Sequence, residues 1–469
     1  MDESAALGAD LLAGIDPRSS LLLTDLYQFS MIEAYLASGQ TDTAVFEFFV
    51  RKLPERRGFL IAAGLAQALD WLENLRAQPA ELDWLKRSGR FSRRLIDYLA
   101  NLRFEGEVDA IAEGTVVFGN EPLLRVVAPL PVAQLVETRL INILHYQTLI
   151  AAKAARLALA APGKLLVDFG LRRAHGADAG LMAARAAYIA GFAGTATVLA
   201  EPVFGIPIYG TMAHSFIQVH DDETQAFEAF AHAHRRNITL LIDTYDTAAA
   251  AHRVVALVPR LAAAGIGVTG VRIDSGDLLA LSRQVREILD RGGLGHVGIF
   301  ASGGLDEDNI LAMERAQAPI AGYGIGTSLT TSSDAAALDC AYKLQEYAGL
   351  ARRKRSTGKA TWPGRKQVWR RKGADGRFER DLIAREGELL DPAWREAEPL
   401  MAPVMRKGRR LAPDPGLAAI RERAAAQLGS LPEPLRRLEP DALYPVAVSP
   451  GLEALAAEVD RRLGIGKGG

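Results

Sequence analysis

The chain has 469 residues, 49% of them hydrophobic and 24% charged. That apolar share excludes a disordered chain, and the length suits one large domain plus a smaller one. Lys and Arg number 55 against 56 Asp and Glu, a net charge of −1, which argues against a dedicated nucleic-acid binder.

Residues 1–20 are polar and rich in Gly and Ala, and read as a mobile end. The start, MDESAALGADLLAG, lacks the positive n-region of a secretory signal. After Leu-Thr-Asp, Tyr27, Met31, Ile32 and Tyr35 recur at helical spacing on one face. Segment 43–52 is apolar and aromatic and predicts a strand. Helices are predicted over 59–76 and 92–102, a small antiparallel sheet over 107–130, and a helix from Pro131 to about Ala160. Beyond Pro162-Gly163, apolar segments of strand character recur at 165–169, 195–199, 206–209, 238–242, 268–273, 297–300 and 320–325. Most are separated by helix-like stretches of the size a βα unit needs. Seven such segments suggest a parallel α/β barrel or a doubly wound sheet; the step from Thr195 to Ile206 is too short for a full helix, which favours an irregular barrel over a regular one. Cys340, the single cysteine, excludes an intrachain disulfide and a cysteine-built metal site and fits a reducing compartment. The run 352–355, with Lys359 and Arg365, suits a polyphosphate, although by itself such a run is usually a solvated loop. GRKQVWRR and GRFERD predict a hairpin, and 414–469 a charged helical tail. No run of about 18 uncharged apolar residues exists to span a membrane. The expected protein is cytoplasmic. It has a mobile end (1–20), an N-terminal α+β domain (21–160), an α/β barrel-like catalytic domain (161–345) and a C-terminal segment (346–469). That last segment returns to the N-terminal domain, so a second mixed α+β domain forms from both ends of the chain.

Polar residues follow the apolar segments. They are Asp168, Phe169 and Arg172; Thr211, His214 and Ser215; Asp243 and Asp246; Arg272, Asp274, Ser275 and Asp277; Ser302, Gly303 and Gly304; and Gly326 and Thr327. In a barrel these positions share the face that carries active sites. The loops ASGGLDEDN and GYGIGTS are Gly-rich and lead into helices, so backbone N–H groups there can approach a phosphate. A lone histidine is more often structural, but His214 has Asp243 on the next strand to fix its tautomer. The turn Asp274-Ser-Gly-Asp277 suits Mg²⁺ or a ribose diol, or simply caps a helix. His232 and His234 follow a helical run and read as a solvated helix end.

As a set, LLLTDLYQFSM (21–31), FEFFVRKLP (46–54), VDFGLRRAHG (167–176), YGTMAHSF (209–216), LLIDTYDT (240–247), GVRIDSGDL (270–278), FASGGLDEDNI (300–310), GYGIGTSL (322–329) and GKATWPGRKQVWR (358–370) resemble the nicotinate phosphoribosyltransferases, in the family's order. The tail to about 460 is similar to the family's C-terminal part. The resemblance implies transfer of the phosphoribosyl group of phosphoribosyl pyrophosphate to nicotinate, giving nicotinate mononucleotide and diphosphate in NAD salvage. It implies coupling to hydrolysis of ATP through a phosphohistidine, here His214, oriented by Asp243. Asp274 would help place the ribosyl donor, with Asp243 and Asp274 toward Mg²⁺. Phe169 would stack on the pyridine ring, with Tyr27 closing the other side from the neighbouring subunit of a homodimer with shared active sites. Arg272 and Thr211 would meet the ring and carboxylate, and Arg172 and Ser215 complete the substrate set. Gly303, Gly304, Gly326 and Thr327 would hold the 5′-phosphate. Arg51, Lys343 and Lys354 would reach the diphosphate, Arg51 and Lys343 across the dimer.

Two alternatives stand beside this reading: a nicotinamide phosphoribosyltransferase, and a catalytically silent phosphosugar-binding homologue. The intact His214, Asp243 and Asp274 set argues against silence. Nicotinamide enzymes of similar layout carry an aspartate in Gly-Thr-Asp-Thr. The matching segment here is Gly194-Thr195-Ala196-Thr197, with Ala196 in the aspartate's place. The alternative for Ala196 is a small residue in a packed strand.

Overall fold

The computed structural model describes residues 15–16, 18–356 and 358–464. The mobile end expected at 1–20 lies outside these except for 15–16 and 18–20. The chain forms two compact units. The first takes residues up to 148, 337–435 and 439 onward; the second is Leu149–Ala336 with Arg436–Leu438.

The first unit opens with α1 (Leu26–Ser38), closed by Gly39 in the left-handed region at φ +69°. The expected face of Tyr27, Met31, Ile32 and Tyr35 is not the one that packs. Gln28, Phe29 and Ile32 are buried, and Tyr27 is 47% exposed. Gln28 turns inward because its Nε2 donates to the buried Glu137 carboxylate at 3.1 Å. Strand β1 (Thr43–Val50) is buried along all but its first residue. Segment 59–76 is not one helix. Leu60–Ile61 pairs with Val116–Val117, Gly64 turns at φ +99°, and α2 (Leu65–Glu73) follows. A Cβ at Gly64 would stand 2.9 Å from Ile143 O, so the tight turn needs glycine. Helix α3 (Pro79–Ser88) was not foreseen, although its start carries a capping box between Gln78 and Glu81. Next come α4 (Arg93–Ala100), β2 (Glu107–Ile111) and β3 (Pro122–Pro129), with β3 pairing antiparallel to both β1 and β2. The helix expected from Pro131 is two helices, α5 (Leu130–Leu135) and α6 (Glu137–Ala160), parted at Val136.

The second unit is a curled parallel sheet with helices between its strands. In chain order these are β4 (Leu165–Asp168), α7 (Ala177–Ile189), β5 (Gly194–Thr195), α8 (Glu223–His234), β6 (Ile238–Leu241), α9 (Thr247–Ala263), β7 (Val268–Ile273), α10 (Leu278–Arg291), β8 (Gly298–Ser302), α11 (Glu307–Arg315), β9 (Gly322–Ile325) and α12 (Thr327–Thr330). The strand order is β5-β4-β9-β8-β7-β6. The expected strand at 195–199 stops at Thr195; Val198 and Leu199 are exposed and lead into the short helix Ala200–Phe204. The expected strand at 206–209 contributes one bridge, Thr195 to Ile208. The irregular barrel is therefore an open half-barrel. Its outer layer packs Val254, Leu257 and Val285 against Leu240, Val271 and Ile299, apolar as a covered parallel sheet must be.

The chain then re-enters the first unit. β10 (Cys340–Tyr347) pairs antiparallel with β1, placing Ala44 opposite Tyr347. The hairpin β11 (Lys366–Lys372) and β12 (Phe378–Arg385) forms as expected. β13 (Met401–Arg406) pairs antiparallel with β2. A seven-stranded sheet thus runs Leu350–Ala351, β10, β1, β3, β2, β13, Arg409–Arg410. The tail carries α13 (Leu417–Gly429), a strand β14 (Val446–Val448) parallel to β12, and α14 (Pro450–Arg462). Among the described residues no helix is long and apolar enough to cross a membrane.

Candidate active site

Because β4 to β9 are parallel, their C-terminal ends open on one side of the second unit, and the loops there carry the polar residues. Phe169 follows β4, with its N–H bonded to Ile325 O at 2.8 Å. Its ring lies 5.8 Å from that of Phe300. Gly324 on β9 makes room for it: a Cβ there would stand 2.5 Å from Phe169 Cε2. Arg272, near the end of β7, places its guanidinium carbon 6.0 Å from the Phe169 ring centre. One of its terminal nitrogens donates to Thr211 Oγ1, and its Nε is buried without a hydrogen-bond partner. Burial pushes the Arg272 pKa below its ordinary value; Asp274 and Asp243 oppose that shift, and the like charge of Arg172 adds to it. Arg172 and Ser215 are exposed.

Below the loops, Asp168 is buried and its pKa is pushed up to about 6 by burial, against the hydrogen bonds of Thr195 Oγ1 (2.7 Å) and the Gly170 N–H (2.8 Å). The Asp168 carbonyl accepts the Ala196 N–H at 2.8 Å. Ala196 itself is exposed, not a small residue in a packed strand.

His214 starts a short helix after the Thr211 loop and is partly exposed. Its Nδ1 is 3.1 Å from Thr244 Oγ1, and its Nε2 is 3.9 Å from Asp274 Oδ2. Asp243 was expected to orient His214; the hydrogen bond to the ring comes from Thr244 instead. Asp243 Oδ2 accepts the Asp274 N–H at 2.9 Å and Ser275 Oγ at 2.6 Å, because β6 and β7 are neighbours. Asp274 Oδ1 accepts Ser302 Oγ at 2.5 Å. Asp277 caps α10, its carboxylate accepting the Ala280 N–H. The Asp243 Oδ1 atom is buried with no hydrogen-bond partner, an open hard-oxygen donor. Among the described residues no cluster of three or more His, Cys, Asp or Glu side chains could hold a metal ion. The chain can thus offer a divalent cation one or two carboxylates, the donor set that suits Mg²⁺ when substrate phosphates and water complete it.

The two Gly-rich loops lie at adjacent strands, β8 and β9. Gly303 sits at φ +91°, where a Cβ would fall 1.9 Å from Asp274 O, and Gly304 at φ +63°. Both are exposed, as is Thr327; Gly326 precedes α12. These loops present backbone N–H groups without side chains in the way, as an anion site requires.

The remaining predicted residues lie in the first unit. Tyr27 donates to Glu137 Oε2 at 3.2 Å, and its pKa is pushed up to about 12 by burial first and the Glu137 charge second. Lys343 Nζ donates to Glu137 Oε1 at 3.2 Å. Arg51 pairs with Asp339 at 2.8 Å. Lys354 is exposed. The basic run is not simply solvated: Arg353 and Arg355 pair with Asp460 of α14 at 3.6 and 3.2 Å, and Arg353 lies against Trp362. His232 and His234 are exposed on the last turn of α8. Thr244 and Glu137 were not foreseen. Thr244 directly follows Asp243 at a strand end, which was the available signal; Glu137 carried none.

Family models match the chain in three stretches. These are the nicotinate phosphoribosyltransferase N-terminal domain at residues 22–145, the family itself at 165–349 and its C-terminal domain at 393–456. The chain is 48% identical over 430 residues to a nicotinate phosphoribosyltransferase of Mycobacterium tuberculosis, covering 91% of each. It is 38% identical over 364 residues to that of Bacillus subtilis, covering 76% of this chain and 74% of the relative. The crystal structure of human nicotinic acid phosphoribosyltransferase superimposes with a TM-score of 0.83 at 30% identity, over 93% of this chain and 99% of that one. A nicotinate-nucleotide pyrophosphorylase from Pyrococcus furiosus shares the fold, with a TM-score of 0.72 at 24% identity, over 88% and 96%.

Proposed function

The chain belongs to the nicotinate phosphoribosyltransferase family, and on that premise we propose that it joins nicotinate to the ribosyl carbon of phosphoribosyl pyrophosphate, a step of NAD biosynthesis. The observation that carries this reading is Arg272 beside the Phe169 ring at 6.0 Å. Nicotinate is a flat anion, suited to one aromatic face and one guanidinium. The ring nitrogen's lone pair forms the bond to C1 as the C1–O bond to diphosphate breaks. The electron pair leaves with diphosphate and no proton moves. Charge develops on the ribosyl carbon, as in glycoside hydrolysis, and the diphosphate departs with several negative charges. Asp274 faces the developing cation. The loops at Gly303, Gly304, Gly326 and Thr327 hold the 5′-phosphate, which fixes C1 against the ring nitrogen. Mg²⁺, held by Asp243 and Asp274, would neutralise the leaving group. Arg51, Lys343 and Lys354 are assigned to the diphosphate on the family likeness alone.

ATP coupling enters through His214. An N–P bond forms on its imidazole as the γ-phosphoryl leaves ADP, and water later cleaves that bond. Thr244 Oγ1 on Nδ1 holds the ring in place. The acting form is a homodimer with shared sites. Product analysis with phosphoribosyl pyrophosphate and nicotinate, nicotinamide or quinolinate in parallel tests the assignment; only nicotinate should yield its mononucleotide. The His214→Ala enzyme should lose nicotinate-stimulated ATP hydrolysis. Normal coupling in that variant would remove the phosphohistidine, and a preference for nicotinamide would overturn the substrate.

A further inference from the structure

Lys153 lies in AAKAARLALA, a stretch of α6 that is apolar but for Lys153 and Arg156, and its side chain is 1% exposed. A buried ammonium survives only with close counter-charges. Its Nζ is 2.5 Å from Glu307 Oε2 and 3.0 Å from Asp334 Oδ1. These carboxylates come from different loops. Glu307 opens α11, three residues after Gly304, and is itself 3% exposed. Asp334 stands in the turn after α12, eight residues beyond Gly326. Arg156, one turn further along α6, reaches the second Glu307 oxygen at 3.3 Å and the Leu438 carbonyl at 2.8 Å. One cation thus fastens the segment behind each Gly-rich loop to the same helix.

We infer that Lys153 is a positioning residue that sets the spacing of the two phosphate loops by holding Glu307 and Asp334 together. The inference rests on the proposed phosphate role of those loops. Strands β8 and β9 are paired as far as Ser302 and Gly324; beyond that point the glycine loops carry few side chains to hold them together, and an anchor behind both fixes their separation. Two charge-assisted contacts from one buried ammonium, the one to Glu307 buried at both ends, do this rigidly. Phe169 follows β4 and Arg272 stands on β7, and Phe169 meets β9 at Ile325, within the paired sheet and ahead of the loop that Asp334 closes, so the nicotinate pocket should feel the tie less than the phosphate loops do.

The test uses Lys153→Met and, because that variant removes the cation shared by Glu307 and Asp334 and can fail to fold, Asp334→Asn, which keeps the Lys153–Glu307 pair. Binding of phosphoribosyl pyrophosphate is measured by calorimetry, and KM for both substrates and kcat by steady-state assay. Displaced loops should weaken phosphoribosyl pyrophosphate about tenfold or more in binding and KM, with the nicotinate KM within about twofold of wild type. Folded variants that bind phosphoribosyl pyrophosphate as the wild type does overturn the inference, leaving Lys153 a stabilising ion pair. An equal rise in both KM values overturns it too, as a general loosening. Absence of phosphoribosyl pyrophosphate binding by the wild type would instead sink the functional reading, and this inference with it.

Discussion

At the scale of single residues, the proposed preference for nicotinate would turn on a missing charge. Ala196 is exposed at the end of β5, with its amide held by the Asp168 carbonyl. A carboxylate there would meet nicotinate's own, and like charges in a partly dry site cost several kcal/mol, roughly a hundredfold. The Ala196→Asp enzyme should lose that factor in kcat/KM for nicotinate and far less for nicotinamide; an unchanged ratio acquits the position. Beneath it, Asp168 titrates near 6 in the folded chain against an ordinary 3.8. The folded state therefore binds the extra proton between those values, so stability falls as pH rises from about 4 to about 6 and is level above. The loss is on the order of 3 kcal/mol. In Asp168→Asn the Tm should lack that fall, because the amide can serve both Gly170 and Thr195. A parallel Tm–pH curve in the two proteins would show that burial does not raise this group. The sequence made the residue types legible, since strand ends announce a catalytic face. It did not show that Thr244 rather than Asp243 takes the His214 ring, because the path of the loop sets which of two adjacent residues reaches the ring, and the residue types alone do not carry that path.

Elements were legible where one pattern ruled. Strands β4, β6, β7, β8 and β9 are short apolar runs covered on both faces, and their expected positions match within a few residues. Segment 195–199 has the same apolar look, but Val198 and Leu199 are exposed and the chain turns into a helix. An apolar pentapeptide does not say what will cover it. Segment 59–76 read as a helix because its first residues are apolar, yet Gly64 forces a turn that only close packing on Ile143 explains. Strand β9 yields a prediction of its own. Gly324 is the space that lets the Phe169 ring lie where it does, so Gly324→Ala should tilt the ring and raise the nicotinate KM about tenfold, the worth of one aromatic contact. The KM for phosphoribosyl pyrophosphate should hardly move. Equal kinetics for both substrates would mean that the ring is not the pyridine's partner.

For the molecule as a whole, the proposed assignment of Tyr27 and Arg51 to a neighbour's site would make activity a property of pairs. Mixed Tyr27→Ala and His214→Ala proteins, each inactive, should regain about a quarter of wild-type activity after random exchange of subunits, since only one site in each mixed dimer is intact. No recovery despite demonstrated exchange would assign each site to one chain. The discontinuous sheet carries a further consequence, for synthesis on the ribosome. β1 pairs with β10, and β2 with β13, so the partners of Ala44 and Ile111 are Tyr347 and Met401. At about 5–20 residues per second, β1 waits roughly 15–60 s for its neighbour to be made. Throughout that interval the nascent chain holds out two unpaired strand edges. Meanwhile residues 149–336, whose strands pair only among themselves, can already fold. The parallel half-barrel can then be complete while the older half of the protein is still unfinished, and the burden of chaperoning falls on the N-terminal segment.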